Sequence, residues 1–263
     1  RFLRLHWELS DRCFSESCWR PFIKGGEFSR FYYDLFLTVN WKDDGREIKQ
    51  FAEQTPGTSH WSRNIRNPEL YGTRGITWPL RSNRFAGQIV PDGCIFSIPG
   101  KIAIAPREEL LGFLGVFNSP IFDSLLKVGA GSSEGSAYEA GLVAGTPVPQ
   151  WTPDVLSTVS DAGEECWKLT ASIIGRHETS TKLFGLLSDI GSQTIQEVST
   201  TQAATRYQDG KRIAELSFKT GIEVQQLYEQ SLGGIDLGNV LLDKAEEPEE
   251  LVYISEGDSL VVT

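Results

Sequence analysis

Gln88-Ile89-Val90-Pro91-Asp92-Gly93-Cys94-Ile95-Phe96-Ser97-Ile98-Pro99-Gly100-Lys101-Ile102-Ala103-Ile104 is the stretch on which the fold turns. Its three apolar runs are too short for helices, and Pro91-Asp92-Gly93 and Pro99-Gly100 separate them with residues that favour tight turns. The same grammar runs upstream. Phe31-Tyr32-Tyr33 and Phe36-Leu37-Thr38-Val39 are apolar runs, and Gly25-Gly26 and Asp43-Asp44-Gly45 are turn signals. From Arg1 to about Pro106 the chain therefore reads as β-dominated. Asp44-Gly45 and Asp92-Gly93 are hairpin dipeptides, because glycine accepts the positive φ such turns need.

Downstream the period changes. Glu108 to Val128 places Leu110, Leu111, Leu114 and Phe117 on one helical face, with Glu108 and Glu109 in the first turn, where they complement the helix dipole. Asn118-Ser119-Pro120 breaks that helix, and Ser119 is placed to cap a second one starting at Pro120. Gly129 to Gly145 reads as a Gly/Ser/Ala-rich loop. Beyond Pro153 the pattern predicts helices over Thr158–Leu187, Ile190–Ala204 and Gly210–Leu232, the last broken near Gly221. A helix-turn-helix over Arg212–Ser231 can be drawn there, but its apolar positions are explained more simply by packing. The tail carries Glu246-Glu247-Pro248-Glu249-Glu250, and Leu251-Val252-Tyr253-Ile254 and Leu260-Val261-Val262 read as strands. The expected fold class is α+β: a β-rich domain with short helices at 1–150, then a mainly α-helical domain with an acidic tail at 151–263.

The 263 residues exceed a typical single domain, and 40% hydrophobic content suffices for a core. No apolar run approaches the ~20 residues that cross a bilayer, so a cytoplasmic protein with no membrane partner is expected. The chain opens on patterned sequence at Arg1 and has no methionine, which reads as a fragment of something longer. Cys13, Cys18, Cys94 and Cys166 lack a second close pair and a histidine partner at zinc-site spacing, so buried free thiols are expected and no metal.

A net charge of −10 argues against a nucleic-acid partner until its distribution is seen. Residues 1–150 carry 17 basic and 16 acidic side chains, residues 151–263 carry 8 and 19. Arg63, Arg66, Arg74, Arg81, Arg84, Lys101 and Arg107 face only Glu69 and Asp92 over that stretch. Within it, Gly72-Thr73-Arg74-Gly75-Ile76-Thr77-Trp78-Pro79-Leu80-Arg81-Ser82-Asn83-Arg84-Phe85 sets arginines, hydroxyls and an amide among aromatic rings. Arginine can grip guanine, asparagine adenine, and serine or threonine either a base edge or a phosphate. On the residues alone a solvated basic hairpin and a DNA-reading one stay equally open.

No catalytic motif is legible. Amino-methyl transfer to a base needs an Asp/Asn-Pro-Pro-aromatic loop, and Asn67-Pro68-Glu69-Leu70 and Asn118-Ser119-Pro120 lack its second proline and its ring. Gly129-Ala130-Gly131-Ser132-Ser133-Glu134-Gly135 follows a predicted helix and lacks the spacing of a phosphate-binding loop. Three scattered histidines assemble no nucleophile–base pair, and Asp43-Asp44 and Glu164-Glu165 read as solvated surface carboxylates.

Six strings in order resemble one family: Trp19-Arg20-Pro21-Phe22-Ile23-Lys24-Gly25-Gly26-Glu27-Phe28, Val39-Asn40-Trp41-Lys42-Asp43-Asp44-Gly45, Gly75-Ile76-Thr77-Trp78-Pro79, Pro91-Asp92-Gly93-Cys94-Ile95-Phe96, Phe117-Asn118-Ser119-Pro120, and Ser136-Ala137-Tyr138-Glu139-Ala140-Gly141 through Thr146-Pro147-Val148-Pro149. The series is similar to the target-recognition region of the PglX methyltransferases of bacteriophage-exclusion and phage-growth-limitation systems, and of related fused restriction-modification adenine methyltransferases. The resemblance implies a much longer S-adenosylmethionine-dependent enzyme. Its methyl-transfer domain would precede this region, with double-stranded DNA as target and no cofactor bound by the present residues. On that reading the DNA contacts are expected from Lys24, Arg63, Arg66, Arg74, Thr77, Arg81, Ser82, Asn83 and Arg84. The alternative is a protein-interaction module that binds a DNA mimic or another defence subunit; an independent metal-dependent hydrolase would need a carboxylate-rich site.

Overall fold

In a computed structural model, residues 1–10, 18–57, 60–131, 137–176, 180 and 195–233 are described. The expected tail strands, the acidic run at 246–250 and Cys13 lie outside them.

Two small sheets occupy the N-terminal side. β1 (Leu3–Leu5), β2 (Trp19–Ile23), β3 (Leu37–Asn40) and β6 (Ile95–Phe96) form one, in the order β1-β3-β2-β6, antiparallel except for the parallel β2–β6 pair. The other has β4 (Gly75–Thr77) between β5 (Gln88–Val90) and β7 (Ile102–Ala103), both antiparallel to it. The turn at Pro91-Asp92-Gly93 forms, with Gly93 at φ 89. It does not close a hairpin, however, because β5 and β6 join different sheets. Ile23, Val90, Cys94 and Phe96 make a small core of their own, with Leu35, Tyr71 and Ile102 packed against it.

The second expected hairpin turn is also corrected. Asp43, Asp44 and Gly45 do turn with positive φ (51, 57 and 69), but they open α1 (Lys42–Gln54) instead of returning a strand. Helix-favouring Arg46-Glu47-Ile48-Lys49-Gln50-Phe51-Ala52-Glu53 carries on from the turn. The N-terminal side is thus less purely β than its turn signals suggest.

The helices at 108–128 form as expected. α2 (Leu110–Phe117) ends at Asn118, and Ser119 caps α3 (Pro120–Ala130) by accepting a hydrogen bond from the Phe122 amide. Asn118 also ties helix to sheet: its Nδ2 donates to the Gly87 and Leu114 carbonyls at 2.9 Å each, and its carbonyl accepts from Arg30 at 2.6 Å. Part of the expected Gly/Ser/Ala-rich loop is helical instead, as α4 (Ala140–Gly145).

Among the described residues, the C-terminal helices have other bounds than the pattern predicts. α5 (Pro153–Ile174) starts five residues before Thr158, and the continuation expected to Leu187 falls largely outside the described residues. α6 (Ile195–Ser231) runs unbroken through Gly210 and Gly221, which removes the helix-turn-helix reading. Gly221 is buried, and the neighbouring Thr220 methyl would lie 3.4 Å from a Cβ on Gly115, so the small residues mark a close helix crossing. α5 and α6 are antiparallel: Val155 faces Leu227 while Arg176 pairs with Asp209 at 3.7 Å. α2 packs on both, and the main core runs from Ile76 and Trp78 through Leu114 and Phe122 to Val159 and Val224. The fold class is α+β, with the strands on the N-terminal side and helices after them.

Gly163 lets α5 approach α2 closely, since a Cβ there would sit 2.7 Å from the Leu111 carbonyl oxygen. Gly163→Val is therefore expected to cost about 1–3 kcal/mol through forced separation of the helices, read as a lower urea midpoint. Cys94 and Cys166 are buried free thiols, pushed up to about 12 and about 11, chiefly by burial. Both stay protonated through neutral pH. In the native protein they are expected to resist iodoacetamide while half-buried Cys18 reacts, and all three alkylate once the chain is unfolded.

No single helix among the described residues is long and apolar enough to cross a membrane. α2 and α3, bent 69° from one another, are apolar because they are core: Leu114, Val116, Phe122 and Leu126 have no exposed surface.

Candidate nucleic-acid interface

β4 delivers the chain to a surface loop whose two ends are anchored in aromatic packing. Trp78, directly after the strand, is 1% exposed, and its indole Nε1 donates to the Tyr138 carbonyl at 2.8 Å. Phe85, at the far end, sits among Trp78, Phe117, Phe122 and Tyr138, with ring centroids 5.2–5.7 Å away. Between these anchors Pro79 to Arg84 forms the loop, exposing Arg81 and Asn83. Its base is closed by the Tyr138 amide donating to the Leu80 carbonyl at 2.8 Å and by a bridge between Arg81 and Ala137.

Beneath the loop lies one buried carboxylate. Asp123, 7% exposed on α3, accepts from the Phe85 amide (2.8 Å), the Tyr138 hydroxyl (3.3 Å) and Lys127 Nζ (2.8 Å). Burial raises the Tyr138 phenol well above its ordinary range, and the Asp123 charge and hydrogen bond raise it further. The phenol stays a donor, so the loop's support holds across the physiological range.

Eight of the nine residues expected to contact DNA divide into two groups, and Thr77 stands apart from both. Arg81, Ser82, Asn83 and Arg84 lie together past the exit of β4, with the Ser82 hydroxyl bonded to the Arg84 carbonyl. Lys24 is exposed at the end of β2 and belongs with them, because a Cβ on the next residue, Gly25, would stand 4.0 Å from the Leu80 amide nitrogen. Arg63, Arg66 and Arg74 precede β4. Arg63 donates to the Gly57 carbonyl at 2.9 Å, and Arg66 is exposed beside buried Ile65. Arg74 is engaged by Asp92 through Nε and Nη2; this hydrogen bonding raises the guanidinium and lowers the carboxylate. Thr77 is 4% exposed, and its hydroxyl donates to the Lys101 carbonyl at 2.7 Å, so its place here is inside the second sheet.

The sequence reading missed the supports. Asp123 and Tyr138 lie 15 residues apart on either side of the Gly/Ser-rich run, and neither has a local signal beyond Ser136-Ala137-Tyr138 falling in one of the six strings. The Gly/Ser-rich run begins as the end of α3, with Gly131 at φ 65 as its C-cap, whereas a nucleotide-cradling loop would follow a strand. Among the described residues no group of three His, Cys, Asp or Glu could hold a metal ion.

No family model matches the chain. It is 26% identical over 176 residues to the adenine-specific methyltransferase PglX of Lacticaseibacillus casei (strain Zhang), covering 60% of this chain and 14% of that protein. To the adenine-specific methyltransferase BrxX of Escherichia coli O9:H4 (strain HS) it is 26% identical over 121 residues, 44% of this chain and 9% of that protein. The chain thus spans a small part of the curated relatives it matches. Within that span, it is similar to PglX-type adenine-specific methyltransferases.

Proposed function

We propose that this chain is the DNA-recognition portion of an adenine-specific DNA methyltransferase acting in bacterial phage defence, in the cytoplasm. The loop from Pro79 to Arg84 carries the reading: a guanidinium and an amide are exposed on a short segment whose ends are fixed by buried rings and by Asp123. A rigidly held loop positions hydrogen-bonding side chains against base edges without losing much entropy on binding. Arg81 and Asn83 are the base-reading residues, while Lys24 and Arg84 hold phosphates. Arg63 and Arg66, exposed and upstream of β4 in the sequence, are further phosphate contacts. Arg74, held by Asp92, orients its own turn and contributes least; Thr77 serves the sheet.

In the longer enzyme, a methyl-transfer domain carrying S-adenosylmethionine modifies the exocyclic amine of an adenine in the site this portion selects, marking host DNA. On this reading the cofactor and all the chemistry belong to that other domain. The helices after residue 150 pack against α2.

The test is a fluorescence-anisotropy titration of the chain with duplex DNA at about 50 and about 200 mM salt. Contacts to several phosphates predict an affinity that falls steeply with salt. Absence of duplex binding at low salt, with salt-insensitive capture of a protein partner instead, would establish the interaction-module reading, to which the exposed Tyr207 and Phe218 of α6 lend themselves.

A further inference from the structure

Between the two sheets lies a cavity of about 280 Å³ that the loop does not occupy. The rings of Phe22, Tyr33 and Phe36 line it, and Lys24, Gly26 and Glu27 lie at its lip. Tyr33 and Phe36 meet edge to face, 6.0 Å apart at 67°, and both are half-buried. The Gly26 backbone lies on the Tyr33 ring: a Cβ there would come within 2.8 Å of ring carbon Cδ1, and φ is +58. Only glycine lets the lip close down in this way. The lip also abuts the root of the recognition loop, through Gly25 and Leu80.

We propose that this cavity takes one unpaired, amine-bearing nucleobase of the bound DNA, stacked on the Tyr33 ring, with its phosphate at Lys24. The proposal rests on the DNA-recognition reading above and assigns it a second site. The size decides against larger occupants: 280 Å³ is just below the ~300 Å³ at which pockets for drug-sized ligands begin, which suits a single ring system. The walls suit the faces of a base, since aromatic side chains stack on any base without reading its sequence. Charge selects the class. Lys24 is exposed at the lip and attracts a phosphate, whereas Glu27 beside it accepts from an exocyclic amine and favours adenine, cytosine or guanine over thymine. Asp34, which also lines the cavity, is 8% exposed and accepts from the Tyr32 hydroxyl at 3.2 Å and the Leu35 amide at 3.0 Å, so it braces the wall. The position at the edge of the loop carrying Arg81 and Asn83 lets a base displaced from the duplex reach the cavity while the duplex stays bound.

The test uses the full chain and two duplexes of one sequence at low salt, one fully paired and one with a single bulged adenine. The bulged duplex is expected to bind about tenfold more tightly, the gain of one stacked base. Tyr33→Ala removes that gain and leaves the paired duplex within about twofold, whereas Tyr33→Phe keeps it. A bulged thymine gains less than a bulged adenine. If Tyr33→Ala fails to fold by thermal melt, Glu27→Ala, an exposed substitution at the lip, takes its place and is expected to lose the part of the gain that distinguishes adenine from thymine while leaving the paired duplex within about twofold. Normal binding of the paired duplex with no gain from the bulge, or a gain that survives the variant, overturns this inference alone. Failure to bind either duplex overturns it together with the recognition reading.

Discussion

Trp78→Ala is expected to destabilise the protein by about 3–5 kcal/mol, seen as a large fall in the urea midpoint with the slope unchanged. The indole is 1% exposed, and its removal leaves a cavity facing Phe85 at 5.6 Å and Phe117 at 6.4 Å. It also leaves the Tyr138 carbonyl, which now accepts the indole N–H at 2.8 Å, without that donor. Against a total stability of about 5–15 kcal/mol this is a large fraction. The effect should reach the surface as well. With Trp78 gone, one of the two anchors of the Pro79–Arg84 loop is lost, so duplex binding should fall further than the unfolded fraction accounts for.

Arg81→Ala combined with Asn83→Ala should behave in the opposite way, leaving stability within about 0.5 kcal/mol of the parent and weakening duplex binding roughly 10–100-fold. Both side chains are exposed, and the backbone that carries them is held by Phe85 and Tyr138 through groups the substitutions do not touch. If one of the two also meets a phosphate, the salt dependence becomes shallower by about one ion. Arg74→Ala is the internal comparison. Its guanidinium is already engaged by Asp92, so binding should change less than in the double variant.

These two outcomes separate what the sequence made legible from what it hid. Local chemistry was readable. Ser119 and Pro120 start α3 as expected because capping is decided within one turn, and Pro91-Asp92-Gly93 turns because glycine there must take positive φ. The destination of each strand was not readable: Asp92-Gly93 carries the chain from one sheet to the other, and nothing in a turn dipeptide says which partner the next strand will meet. Asp43-Asp44-Gly45 shows the same limit, since a left-handed turn serves equally to enter a helix. Gly221 reads as a break because glycine's low helix propensity stands out in a sequence, whereas the packing that buries it within α6 is a tertiary fact.

The site follows the same division. Arg81, Asn83 and Arg84 stand close together in the sequence, and the structure sets them on one loop; Lys24, far away in sequence, lies next to Gly25, which packs beside Leu80. Thr77 offers a hydroxyl, but β4 is the central strand of its sheet and is buried on both faces, with Ile76 1% and Thr77 4% exposed. Asp123 was passed over because an isolated aspartate in an amphipathic helix looks like surface, and only the fold reveals three donors converging on it.

The most direct test of the central claim is selection from a random pool of DNA duplexes at two salt concentrations, with the chain beside its Arg81→Ala/Asn83→Ala/Arg84→Ala variant. The account predicts that the chain enriches one motif, that the variant loses the enrichment while melting at the same temperature, and that residual binding by the variant is sequence-blind. Enrichment of the same motif by both proteins would contradict it, as the sequence would then be read elsewhere on the molecule.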